Sequence, residues 1–80
     1  MELSEIKEIV NRFLSDEFEV EEEKMSDTSR IKEDLKIDSL DFVDIAVEVE
    51  KRFKFKVTPT EMQDIATLGE FYDMIYKKQQ

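Results

Sequence analysis

Residues 38–53, DSLDFVDIAVEVEKRF, decide how this chain is built. At about 100° per residue, Phe42, Ile45, Ala46, Val49 and Phe53 fall within an arc of about 100°, the width of stripe by which a helix faces a core. Asp38 stands where an N-cap belongs, because its carboxylate can accept from the free N–H groups of a first turn, and Asp41 adds negative charge at the positive end. The spacing predicts a helix from Ser39 to Arg52 or Phe53. Leu40, Val43 and Val47 lie on a separate arc, with Asp41, Asp44 and Glu48 lined up beside them. Single exposed apolar residues are ordinary. Three at helical spacing beside an acidic row instead describe a docking face, the apolar side chains supplying contact and the acids steering a basic partner.

Working outward, Leu3, Ile6, Ile9, Val10, Phe13 and Leu14 recur at three and four residues and predict an amphipathic helix over about 3–14. Residues 15–34 lose this period and carry Asp16, Glu17, Glu19, Glu21, Glu22 and Glu23. They read as a long ordered connection, pinned with its continuation by Phe18, Val20, Ile31 and Leu35, its acids a solvated surface. C-terminal to the central stretch, Thr58, Pro59 and Glu61 form a helix start that turns Met62 and Ile65 inward. Thr67 and Glu70 repeat the device before Leu68, Phe71, Tyr72 and Ile75, and Lys77 and Lys78 suit the closing C-terminus. The expected fold is all-α: a small four-helix bundle of three longer helices and one short one, with residues 1–80 forming a single domain.

Charge and composition remove whole classes of function. Lys plus Arg number 12 against 21 Asp plus Glu, a formal net charge of -9, so the cations that bind phosphate backbones or anionic membrane surfaces are in deficit. Neither nucleic acid nor an anionic membrane surface is an expected partner. The chain has no cysteine and no histidine, which excludes thiol nucleophiles, disulfides, Cys/His zinc sites and the usual general base for a serine nucleophile. Asp38, Asp41 and Asp44 stand three apart without the glycine turn of a calcium loop, and no metal is expected. The longest apolar run is Ile45, Ala46 and Val47, too short for a membrane span or a signal peptide. A cytoplasmic monomer is expected.

Ser39 follows the cap of the central helix, so its hydroxyl should stand at an exposed positive helix end, where the dipole and free N–H groups favour a phosphate. As a nucleophile in its own right it lacks an activating base and an oxyanion hole. The residues alone therefore describe a small acidic helical module with a serine beside a binding face. An unmodified acidic interaction module accounts for the charge but not for Asp38 and Ser39 beside a second apolar stripe.

The stretch Asp34, Leu35, Lys36, Ile37, Asp38, Ser39, Leu40 and Asp41 resembles the Asp-Leu-Gly-x-Asp-Ser-Leu-Asp signature of acyl carrier proteins. The helix that follows, Phe53 at its end, and the short and final helices after it extend the resemblance over essentially the whole chain. It implies a carrier, not an enzyme. A phosphopantetheinyl transferase would esterify Ser39 with a 4'-phosphopantetheine arm from coenzyme A, flanked by Asp38 and Leu40, and the arm's thiol would hold acyl groups as thioesters. Leu40, Asp41, Val43, Asp44, Val47 and Glu48 match the positions such carriers present to basic patches on acyl-processing enzymes of ligase, ketosynthase or acyltransferase type. The pathway implied is fatty-acid synthesis or a related specialised lipid or polyketide route; a peptidyl or amino-acyl carrier is the alternative within the class, and the acidity of the central helix favours an acyl load. Two departures stand out. Lys36 replaces the signature glycine, leaving open a different backbone path for that turn, and residues 51–56 carry four positive charges and no acid where many members are acidic.

Overall fold

The computed structural model describes residues 1–79, which form α1 (Leu3–Phe18), α2 (Asp41–Phe53), α3 (Pro59–Gln63) and α4 (Leu68–Lys78), with a single 3-10 turn at Glu22–Lys24 inside the long connection. Three longer helices and one short one make the architecture all-α, and the described residues contain no strand beyond an isolated bridge between Arg30 and Thr67. The capping chemistry places the last two helices where the sequence predicts them. Thr58 Oγ1 accepts from Glu61 N at 3.2 Å while Glu61 Oε1 accepts from Thr58 N at 3.1 Å. Thr67 and Glu70 reproduce the pair at 3.2 and 3.1 Å.

α1 runs one turn past its expected end. Leu14 is buried and Phe18 half-buried, an i, i+4 pair that continues the apolar stripe through the acidic residues between them. The stop is backbone geometry: Glu19 takes a left-handed φ of 57°, and Val20 N donates to Leu14 O at 3.1 Å, tucking the buried Val20 under the helix end. α2 starts two residues later than predicted. Asp41 N donates to Asp38 O at 2.9 Å and Phe42 N to Ser39 O at 3.2 Å, so Ser39 and Leu40 form a tight i→i+3 turn that feeds the helix rather than belonging to it.

α1 packs on α4 and α2 on α3. The interior is Ile6, Val10, Phe13 and Leu14 from α1, Phe42, Ile45, Ala46 and Val49 from α2, Met62, and Leu68, Phe71, Tyr72 and Ile75 from α4, all no more than 6% exposed. Phe53 differs from the core role its period suggested. It is half-buried and stacks on Phe55 with ring centroids 6.1 Å apart, closing the edge of the core at the end of α2.

The long connection is sewn to the start of α4. Ile31 N donates to Ala66 O at 2.9 Å, Leu68 N to Ser29 O at 2.8 Å and Gly69 N to Asp27 O at 2.9 Å. Here the chain's one glycine is required by space, since a Cβ on Gly69 would stand 2.8 Å from the Asp27 carbonyl oxygen. Buried Ser29 is satisfied locally, donating from Oγ to Lys24 O at 2.6 Å and accepting from Ser26 N at 3.0 Å. The anchoring continues toward Ser39, because Ile31, Leu35 and Ile37 are all buried and Ile37 N donates to Ile31 O at 3.1 Å.

Candidate functional site

Those three apolar anchors hold the turn of residues 36–40 against the body of the protein and leave Asp38, Ser39 and Leu40 exposed. Lys36 adopts φ 58°, the left-handed conformation that glycine takes at no steric cost. The turn thus keeps a glycine-like backbone despite the lysine, rather than taking the different path that a side chain there left open. Ser39 Oγ donates to Asp38 Oδ1 at 3.3 Å, and the same oxygen accepts from Leu40 N at 3.4 Å. Asp41 Oδ2 accepts in return from Asp38 N at 3.3 Å. Asp38 therefore closes the turn ahead of the helix and is not the N-cap its sequence position suggested: α2 begins at Asp41, its N-cap is Leu40, and no side chain caps it. The consequence for a phosphate changes too. The N–H groups of Asp38, Leu40, Asp41 and Phe42 are all engaged, so this helix end does not offer the row of free donors expected of it.

Beside Ser39 lies an open groove of about 360 Å³ lined by Lys32, Lys36, Ile37, Asp38 and Ser39. Lys32 Nζ sits 5.5 Å from the centroid of the Phe42 ring, which ties this lysine to the first turn of α2. Sequence reading placed a cation at position 36 but missed Lys32, whose only signal was its i, i+4 distance from Lys36. The groove gives a group esterified to Ser39 open space next to positive charge, so the residues present fit a phosphate-linked arm. They do not fit catalysis: among the described residues the hydroxyl's one side-chain hydrogen-bond partner is a carboxylate, and the chain contains no histidine or cysteine.

The second apolar stripe of α2 is exposed as its arc predicted, with Leu40, Val43 and Val47 at 80%, 51% and 47%. The acids beside it are not equivalent. Asp44 is exposed, and Asp41 is half-buried with its carboxylate committed to the Asp38 N–H. Glu48 is covered by its own helix, the side chain 16% exposed, with Oε2 3.1 Å from Arg52 Nη2 and Oε1 3.9 Å from Lys51 Nζ. The i+3 and i+4 cations that neutralise it were visible in the sequence.

A four-helix bundle that presents an unactivated serine beside an exposed apolar and acidic helix face fits a carrier of a covalently attached group. Comparison with known proteins gives the family. A family model described as "Phosphopantetheine attachment site" matches residues 4–75. The chain is 37% identical to an acyl carrier protein of Coprothermobacter proteolyticus over 94% of its own length and 92% of that protein's. An acyl carrier protein of Thermotoga maritima is 32% identical, with 92% and 91% covered, and one of Cyanophora paradoxa is 35% identical over 85% of this chain and 66% of the relative. The chain belongs to the acyl carrier protein family, whose members carry phosphopantetheine and are not enzymes.

Proposed function

We propose that Ser39 is the residue that accepts the 4'-phosphopantetheine arm, and that Leu40, Val43, Val47 and Asp44 form the face on which the transferase and the acyl-processing enzymes dock. The observation that carries this reading is the position of Ser39: exposed, beside an open groove, on a turn fixed by buried Ile31, Leu35 and Ile37. Transfer forms a bond from Ser39 Oγ to the phosphorus that bears the pantetheine and breaks the pyrophosphate bond of coenzyme A. Adenosine 3',5'-bisphosphate leaves, and the serine proton passes to a base on the transferase. Once bound, the arm supplies a thiol on which acyl groups are held as thioesters.

Asp38 sets the turn through its Oδ1 acceptor, and Leu40 stands free beside the serine for contact. Asp41 contributes charge to the docking face while holding the turn closed, and Glu48 contributes less because Arg52 and Lys51 offset its charge. The acidic central helix favours acyl cargo over peptidyl cargo, in fatty-acid synthesis or a related specialised pathway. Residues 1–80 act as one carrier domain. A radius of gyration of 11.2 Å supports this, against about 11.6 Å for a compact domain of this length.

Intact-mass measurement after incubation with coenzyme A and a phosphopantetheinyl transferase tests the assignment. The expected result is one phosphopantetheine per chain, located on Ser39 by peptide mapping and abolished in Ser39→Ala. An unmodified wild type, or an adduct on another residue, overturns it.

A further inference from the structure

The groove beside Ser39 holds two cations that the acidic docking face does not require. Lys32 and Lys36 both line it, and among the described residues neither ammonium has a carboxylate partner within 4 Å. The surrounding acids are committed elsewhere. Glu33 pairs with the Arg30 guanidinium at 2.8 Å and Asp34 accepts from Arg30 N at 2.8 Å. Asp38 accepts from Ser39 Oγ and Leu40 N, and Asp41 from Asp38 N.

A phosphodiester on Ser39 would bring an anion in beside Asp38 and Asp41, at a helix start whose N–H groups from Asp38, Leu40, Asp41 and Phe42 are already given to other acceptors. The dipole of α2 alone is a weak counterweight to two nearby carboxylates. The groove lysines are the cations placed to meet the new charge.

We propose that Lys32 and Lys36 form a cationic clamp that holds the phosphodiester joining the arm to Ser39. This rests on Ser39 being the attachment residue. The clamp fixes the root of the arm against the start of α2, so the modified carrier is more stable than the unmodified one, through charge rather than apolar contact.

The test compares apo and holo forms of the wild type, the Lys32→Gln/Lys36→Gln double variant and the charge-keeping Lys32→Arg/Lys36→Arg variant, with intact mass and peptide mapping establishing modification of Ser39 in each. At low ionic strength the wild-type melting temperature should rise by about 2–5 °C on modification, and near 1 M salt, where the Debye length is about 3 Å, the rise should vanish. The Arg variant should keep the rise, and the Gln variant should lose or reverse it. Taking the holo-minus-apo difference within each variant cancels any effect of the substitutions on the unmodified fold. A second readout needs no substitution: on conversion of the wild type, the side-chain NMR resonances of Lys32 and Lys36 should shift while those of Lys54 and Lys56 stay in place. Equal melting rises in the wild type and the Gln variant, no rise in the wild type, or unmoved Lys32 and Lys36 resonances would each overturn the clamp while leaving Ser39 as the attachment site. Failure of Ser39 to gain mass would remove the attachment reading itself, and the clamp with it.

Discussion

Lys36 shows most directly how one residue can be poor for the fold and still suit the site. An L-residue in the left-handed region costs about 1–2 kcal/mol, of which glycine's greater unfolded-state entropy returns about 0.5–1. Lys36→Gly should therefore stabilise the unmodified protein by about 0.5–1 kcal/mol in denaturant melts. A loss of stability would mean that the lysine stem packs more than the exposed turn indicates. Tyr72 presents the opposite case, a polar group the core has absorbed. Burial pushes its hydroxyl pKa up to about 12, and the charge of Asp27 adds to the rise; the hydroxyl donates to Asn11 Oδ1. Because the folded value lies above the ordinary tyrosine value of about 10, the contribution to stability is fully present below pH 10 and is lost as pH climbs toward 12. Tyr72→Phe should flatten that alkaline limb of the melting curve while costing about 1 kcal/mol near neutral pH, the ordinary net worth of one hydrogen bond. An unchanged alkaline limb would place the proton loss on another group.

At the scale of the helix, α2 carries two faces with different jobs, and substitution separates them. Phe42 is fully buried and Phe42→Ala should cost about 3–5 kcal/mol. Val43, its neighbour in sequence but half exposed, should cost under about 0.5 kcal/mol on truncation to alanine. Phe53→Ala should fall between them, because its ring is half-buried and leans on Phe55. Equal losses at positions 42 and 43 in urea melts would show that the helix is rotated from this placement. The same two faces explain what was legible before the structure. Apolar spacing oriented α2 correctly, and the Thr58/Glu61 and Thr67/Glu70 capping boxes set the starts of α3 and α4, because these signals are local and read along the chain. The end of α1 was missed because one i, i+4 step from Leu14 to Phe18 is obscured by three polar residues. The start of α2 shifted because the choice between a 3-10 turn and an α turn at Ser39 lies in backbone hydrogen bonds that side-chain type does not report. Lys32 escaped notice because its place in the groove beside Ser39 follows from the backbone path of residues 32–39, which side-chain type does not report.

Across the whole molecule, a net charge of -9 is distributed in a way that gives it direction. Residues 33–50 hold seven acids against Lys36, while residues 51–56 hold four cations and no acid, so the Ser39 end of α2 is negative and the far end positive. A basic partner is therefore drawn toward the serine end before any contact forms, and the gain should lie in association rate and be screened by salt. Asp41→Asn/Asp44→Asn removes two charges while leaving an amide oxygen to accept from Asp38 N. It should slow arm transfer by about 3- to 10-fold in kcat/KM at low ionic strength and converge on the wild type near 0.5 M salt, where the Debye length is below about 5 Å. Glu48→Gln should change the rate less, since Arg52 and Lys51 already offset that carboxylate. Leu40→Ala and Val43→Ala should slow transfer with little salt dependence, because what they lose is apolar contact. Reversing Lys54 and Lys56 to Glu supplies the internal control: it alters net charge by more than the Asp pair does, yet acts at the other end of α2, so the transferase rate should hold. If the Lys pair sped transfer at low salt by as much as the Asp pair slowed it, total charge and not the face beside Ser39 would govern the encounter. If neither pair changed it, α2 would not be where the transferase docks.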